Sequence, residues 1–241
     1  MLAPLALIRS LQGILTVSLL GAVSACGACN PPSDGPFANY DWGPDEYPPP
    51  ATLGWNINHF SLLVGDLDAS IHFYTEVFGM RRIFTYNGND FFKVAYLGYP
   101  SGGRNGTGYQ TPAELFREKN NMQGLLEFVY IAPNVTDPPA TRPVASSKRT
   151  SAFSHLGLVV PDLNAARERF RENNVTILAD VDSKPAPEHI LPIVSAYGAG
   201  LLPEGSDDVI EDLMTAMLGS GQATMIIEDP DGNIIEVQPQ N

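Results

Sequence analysis

Thiols are nearly missing from this chain of 241 residues. Its two cysteines, Cys26 and Cys29, both lie close to the start. The rest of the chain therefore has no cysteine nucleophile and no disulfide framework. Cationic side chains are also scarce, with 14 Lys and Arg against 27 Asp and Glu, a net charge of −13. Without a basic stripe to neutralise phosphates, nucleic acids and anionic membrane surfaces are excluded as partners. Histidines number four, His59, His72, His155 and His189, so any imidazole chemistry must come from this small set. Long apolar runs are lacking too. The longest, from Leu11 to Val23, falls short of the ~20 residues a membrane span needs.

That run has a different use. It follows Arg9, the only charge before Asp34, and ends at Val23-Ser24-Ala25, where small residues suit a peptidase. Residues 1–25 read as a secretory signal peptide rather than a membrane anchor. Cleavage would remove Arg9 and shift the net charge from −13 to −14. A lipid anchor at Cys26 is a variant of the same reading, and either way the chain is expected to be secreted. Cys26 and Cys29 form a C-x-x-C without a thioredoxin-like context, so a local disulfide is preferred to redox or metal chemistry. Asn105, Asn134 and Asn174 each open an N-x-Thr sequon, which marks a glycan acceptor in a secreted eukaryotic chain and nothing in a bacterial one.

The body is written twice. His59-Phe-Ser-Leu-Leu-Val-Gly-Asp-Leu-Asp-Ala matches His155-Leu-Gly-Leu-Val-Val-Pro-Asp-Leu-Asn-Ala without a gap. A helix follows each copy, N-capped by Asp66 or Asp162, with Leu67, Ile71, Tyr74 and Phe78 on one face of the first and Leu163, Ala166 and Phe170 on one face of the second. The copies also end alike, in Gly124-Leu-Leu-Glu-Phe-Val and Asn233-Ile-Ile-Glu-Val-Gln. Between these ends lie strand candidates at 81–85 and 91–97, and at 175–179 and 223–228. Each copy thus reads as βαβββ. The expected organisation is a leader (1–25), a Pro/Gly-rich segment (26–54), module 1 (55–132), a linker (133–150) and module 2 (151–241) with an insertion at 182–222. The stretch 98–123 carries Thr111-Pro-Ala-Glu, a capping box that predicts a short helix. In the second insertion Ser206 is expected to start a helix bearing Val209, Leu213 and Met217.

Strand parity selects the chemistry. Alternate side chains share a face, which groups His59 with Ile57, Ser61 and Leu63, and Glu127 with Leu125, Val129 and Ile131. The opposite faces (Phe60, Leu62 and Val64; Leu126, Phe128 and Tyr130) are apolar and are expected to meet the helix. His59 and Glu127 then point to the other, concave side, as do His155 and Glu236. A glutamate within Leu-Leu-Glu-Phe-Val is costly to bury without compensation. Two histidines and two glutamates at matching places suit one divalent ion, with positions left for water or substrate. His72, on a helix, and His189, in the insertion, lack this pattern.

These segments resemble the vicinal oxygen chelate superfamily, most closely glyoxalase I (lactoylglutathione lyase). The carriers are Val64-Gly-Asp-Leu-Asp-Ala-Ser-Ile-His-Phe-Tyr-Thr-Glu-Val-Phe-Gly-Met80, Phe153–Phe170 and Glu228-Asp-Pro-Asp-Gly-Asn-Ile-Ile-Glu236. The resemblance implies an α+β fold of two βαβββ modules with curved mixed sheets, the glyoxalase/bleomycin resistance/extradiol dioxygenase fold. It implies metal ligands at His59, Glu127, His155 and Glu236, holding nickel, zinc, cobalt, manganese or iron. Histidine rather than glutamine at the first position resembles the branch that prefers nickel or cobalt to zinc. Glu236 and Glu127 would be the proton-exchange base and its partner, moving a proton next to a carbonyl. The glutathione-holding residues of that family are not matched, since Leu63, Ile131 and Ser151 stand at those positions.

Three functions follow as expectations. The first is a secreted metal-dependent lyase or isomerase acting on a small oxygenated molecule. The second is an extradiol-type dioxygenase with iron(II) on His59, His155 and Glu236, against which Glu127 counts because it would fill an open iron position. The third is a binding protein without turnover, as in antibiotic-resistance relatives. Partners are a small-molecule substrate and, as an open option, a second copy of the chain.

Overall fold

The computed structural model describes residues 49–101, 108–133, 145–148, 153–181, 183–198, 205–218 and 224–240. The leader, both cysteines, Asn105, Asn134 and Ser151 lie outside them. The chain divides at Leu53 and Gly54 into two units. The described end of the first is a single 3-10 turn, Pro50–Thr52, closed by the Thr52 amide and hydroxyl on the Pro49 carbonyl.

The second unit holds both modules. The first runs β1 (His59–Leu63), α1 (Leu67–His72), β2 (Arg81–Asn87), β3 (Phe92–Gly98), α2 (Pro112–Glu118) and β4 (Leu125–Ile131). The second runs β5 (His155–Val160), α3 (Leu163–Glu172), β6 (Ile177–Ala179), α4 (Pro187–Ala196), α5 (Asp207–Leu218), β7 (Met225–Glu228) and β8 (Ile234–Pro239). Each forms an open four-stranded mixed sheet, ordered β1-β4-β3-β2 and β5-β8-β7-β6. The first strand of each module pairs in parallel with the last, and the remaining pairs are antiparallel. This is the expected α+β pair of βαβββ modules.

Local chemistry explains the helix starts. Asp66 accepts from the Ala69 amide, and Asp162 from the amides of Asn164 and Ala165. Each closes the orphan donors of a first turn. The capping box at Thr111 and Glu114 is complete, with Pro112 in the first turn. Its hydrogen bonds hold the Glu114 carboxyl below its ordinary value. After His72 the first helix widens into a π-helical turn, Phe73–Val77. That insertion of one residue per turn rotates the buried stripe, so Phe73, Tyr74 and Val77 are buried while Ile71 and Phe78 are half-covered.

One core joins the modules. Leu62, Val64, Leu126 and Phe128 from the first sheet, and Met225, Ile227, Ile235 and Val237 from the second, pack in one cluster with Tyr74 and Phe170 from the helical segments. Phe60 departs from the parity expectation and stays 54% exposed, whereas Leu62 on the same face of β1 is buried.

Polar contacts lock the same joint. In the turn Asp229-Pro-Asp-Gly-Asn233, Asp229 accepts from the Tyr74 hydroxyl at 3.0 Å, and Asp231 from the Gly65 amide at 2.8 Å and the Ser70 hydroxyl at 3.0 Å. Arg169 of α3 donates through Nε to the Val77 carbonyl at 2.6 Å and through Nη2 to that of Glu76. This places a cation on carbonyls left open at a helix end. The linker is clasped too: the Ile234 amide donates to Ser146 Oγ at 2.6 Å.

Two helices from the insertions pack against the sheets. The α2 residue Leu115 packs with Ile83, Met122 and Leu125. Ile193 and Ala196 of α4 pack with Leu178, Ile226 and Ile234. Each insertion thus roofs the end of its module's sheet next to the glutamate-bearing strand. The helix α5 begins directly after Ser206, as expected. Helix α4 was not foreseen, because Pro192 lies inside it and proline in a helix interior argues against helix.

Candidate metal centre

Register brings each histidine to its glutamate. In β1 and β4, His59 pairs with Leu125 and Ser61 with Glu127. In β5 and β8, His155 pairs with Ile234 and Gly157 with Glu236. Histidine and glutamate are thus two residues apart in register on neighbouring strands and share a face. His59 Nε2 lies 3.8 Å from Glu127 Oε2, and His155 Nε2 lies 3.5 Å from Glu236 Oε2. All four side chains are partly covered. Among the described residues, no group of three or more histidine, cysteine, aspartate or glutamate side chains is gathered at one point that could hold a metal. The structure therefore forms two His–Glu pairs and does not merge them within one chain.

The hydrogen bonds around the rings define what each pair can do. Asn58 spends its amide hydrogens on the carbonyls of Lys119 and Met122, at 2.7 and 2.9 Å. Its Oδ1 then faces His59 Nδ1 at 3.1 Å and can only accept. Ser154 gives its one hydroxyl proton to the Ala196 carbonyl at 2.8 Å, so its oxygen accepts from His155 Nδ1, also at 2.8 Å. These contacts favour, in each neutral imidazole, the tautomer with its proton on Nδ1 and the Nε2 lone pair toward a carboxylate.

In the neutral rings two lone-pair donors then face each other. The gaps of 3.5 and 3.8 Å are too long for a charge-assisted hydrogen bond. Two ligands each about 2.0–2.2 Å from a shared ion at a near-tetrahedral angle lie about 3.3–3.6 Å apart. Imidazole nitrogen with carboxylate oxygen suits zinc, nickel, iron or manganese. The His155–Glu236 gap of 3.5 Å falls within that range, and the His59–Glu127 gap of 3.8 Å lies just outside it.

A tyrosine completes each pair. Tyr96 sits opposite Glu127 in the β3–β4 register and packs edge-on to His59 at 5.3 Å between centroids. Its hydroxyl has one proton and two acceptors, His59 Nε2 at 3.3 Å and the Glu127 carboxylate. Burial, and then the Glu127 hydrogen bond and charge, push the phenol up to about 12. In module 2 the matching register position is Ile226. There the tyrosine comes from the end of α4: Tyr197 stacks on His155 at 4.6 Å. Its hydroxyl is buried with no hydrogen-bond partner among the described residues. Burial and then the Glu236 charge raise its phenol. Sequence reasoning missed both tyrosines, Asn58 and Ser154. Asn58 and Ser154 were within reach, since they are the polar residues one step before the two repeated histidines.

Leu63 and Ile131 lie on the His–Glu face and are exposed. Neither offers a polar group there. Lys119, one of the cations in the insertions, sits at the end of α2 over Phe116, 5.8 Å from the ring centroid. Lys184 is exposed in module 2, and Arg104 lies outside the described residues.

With this geometry in view, comparison with known proteins defines the class. Residues 56–188 match the model of the Glyoxalase/Bleomycin resistance protein/Dioxygenase superfamily, and the chain belongs to that superfamily. No curated protein matches it. Among solved structures it is similar to the trypanothione-dependent glyoxalase I of Leishmania major, at 20% identity over 77% of this chain and 86% of that one, with a TM-score of 0.41. Glyoxalase I from Zea mays is 16% identical over 76% of this chain, which spans 44% of the maize chain, with a TM-score of 0.44. The antibiotic binding protein TnmS3 from Streptomyces sp. CB03234 is 16% identical over 78% of this chain and 97% of that one, with a TM-score of 0.40.

Proposed function

We propose that the protein is a metal-dependent lyase or isomerase that moves a proton next to a carbonyl on a small oxygenated substrate. The observation that carries this reading is the repeated pair: a histidine whose Nε2 lone pair faces a half-covered glutamate, at equivalent places in both modules. We further propose that a homodimer completes the site, joining His59 and Glu127 of one chain to His155 and Glu236 of the other. Two observations support this. The pairs are not merged within one chain, and the edge strands β1 and β5 expose Phe60, Leu63 and Val159, a surface open to a second copy.

A divalent ion bound there would polarise the substrate's oxygens as a Lewis acid. The chain's own residues do the rest. In the proposed dimer, Glu236 and Glu127 would both face that site, suited as carboxylates to take a proton from carbon and return it. Tyr96 and Tyr197 wall the pairs, edge-on to His59 and stacked on His155.

The test is metal analysis followed by melting. Protein reconstituted with nickel or zinc should hold about one ion per His₂Glu₂ set, and a chelator should lower its melting temperature by mass action. Absence of metal together with an unchanged melt overturns the reading. On the methylglyoxal–glutathione hemithioacetal the loaded protein should fall well below about 10⁴ M⁻¹s⁻¹ in kcat/KM, because Leu63 and Ile131 replace polar contacts worth about 1.5–3 kcal/mol each. A value above that range would show that other residues hold glutathione. Secretion is proposed on the leader-like residues 1–25 alone. Mass spectrometry of protein from its natural host should find a mature start at or near Cys26, and an intact Met1 overturns it.

A further inference from the structure

The structure assigns Asn58 and Ser154 as positioning residues that bind each histidine's tautomer to the seating of the inserted helix in its module. The assignment rests on the metal reading for its purpose but on hydrogen bonds alone for its geometry. Both residues sit one step before their histidine, and each makes two kinds of bond. One goes to the ring Nδ1. The other goes to backbone at the end of an insertion helix: Lys119 and Met122 after α2 for Asn58, and Ala196, the last residue of α4, for Ser154.

The two bonds are coupled through proton count. Asn58 Oδ1 is aimed at His59 only while both amide hydrogens are held by carbonyls. Ser154 can only accept from His155 while its own proton is held by the Ala196 carbonyl. If α4 leaves, the Ser154 hydroxyl is free to donate to Nδ1 instead. That favours the opposite tautomer, in which Nε2 carries the proton and cannot bind an ion. The same movement removes Tyr197, which adjoins the end of α4 and stacks on the ring. Seating of α4 therefore switches the His155 imidazole between a ligating and a non-ligating form, and the α2 end holds Asn58 in the orientation that favours the ligating form of His59. The packing of Ile193 and Ala196 against Ile226 and Ile234 supplies the seating energy in module 2, and that of Leu115 against Leu125 and Met122 in module 1. Such outer partners typically change metal affinity about 10–100-fold when lost.

The experiment uses the full chain with ¹⁵N-labelled histidine. Long-range ¹H–¹⁵N NMR of the metal-free protein at mildly alkaline pH reads the tautomer of each of the four rings, assigned with single His→Ala variants. His59 and His155 are expected as Nδ1–H. In Ser154→Ala, His155 should move toward Nε2–H, and nickel(II) affinity by competition titration should fall at least about tenfold. Ser154→Thr, which keeps the hydroxyl, should restore both. Asn58→Asp keeps the acceptor and loses the donors, so His59 should remain Nδ1–H while amide exchange in α2 accelerates. Circular dichroism checks that each variant is folded. Nε2–H rings in the wild type overturn the assignment, as does a folded Ser154→Ala chain with unchanged tautomer and nickel affinity. Wild type with the expected tautomers but no nickel uptake overturns the metal function and leaves the positioning geometry standing.

Discussion

Mixed after unfolding and refolding together, His59→Ala and His155→Ala chains should recover about one quarter of the wild-type metal content, although each alone holds almost none. If the site spans two chains, a heterodimer of these variants has one site with both lesions and one with neither. Random pairing makes about half of the dimers mixed, and half of their sites are intact. A site built within one chain would recover nothing, since every chain carries a lesion. The loss in each parent should be large. Removing one imidazole leaves three donors, one of them a carboxylate facing an empty place, and ligand loss strips affinity by more than outer-partner loss does. Glu236→Gln paired with Glu127→Gln should behave in the same way. Elemental analysis of the refolded mixtures decides between the two arrangements, with self-mixed parents as controls.

Asp229→Ala should cost about 3 kcal/mol or more and lower the melting temperature by about 6–12 °C. Asp229 is buried and accepts four hydrogen bonds: from the Tyr74 hydroxyl, the amides of Asp231 and Asn233, and the Asn233 side chain. Alanine would leave the Tyr74 hydroxyl as an unpaired donor in a core shared by both modules. Tyr74→Phe removes that donor and should cost about 1 kcal/mol, so the double variant should be less than additive. Acid dependence gives a second readout. Burial raises the Asp229 carboxyl above its ordinary 3.8, against hydrogen bonds from Asn233 that pull it down. The folded state then keeps a proton that the unfolded state has released. The group's contribution to stability is full below 3.8 and falls as pH rises through the raised folded value. The stability gap between wild type and Asp229→Asn should therefore narrow as pH rises through that window. A gap that widens would mean that the four donors outweigh burial.

The extradiol alternative meets the same geometry. A two-histidine-one-carboxylate iron site needs an open position. Glu127 lies 3.8 Å from His59 and Glu236 lies 3.5 Å from His155, so under the proposed metal reading a second carboxylate would compete for that position. Oxygen uptake with catechols in iron(II)-loaded protein should be absent.

Much of this molecule is legible in its sequence. The matched histidine segments, the capping aspartates and the period-two alternation of β1 and β4 specify two βαβββ modules. They also place His59, Glu127, His155 and Glu236 on one kind of face. These are local properties, set by side-chain period and by short-range hydrogen bonds. Other features came only from tertiary structure. Tyr96 stands by Glu127 because β3 pairs with β4 in one register, and Tyr197 reaches His155 from an insertion of unrelated sequence. Asp229 and Asp231 read as turn residues, yet their carboxylates pin Tyr74, Gly65 and Ser70 of the other module. The tautomers of His59 and His155 depend on carbonyls more than 40 residues away in the chain at their nearest. No local pattern encodes such contacts. They arise when separate elements, each with its own orphan donors and acceptors, are packed together and must satisfy one another.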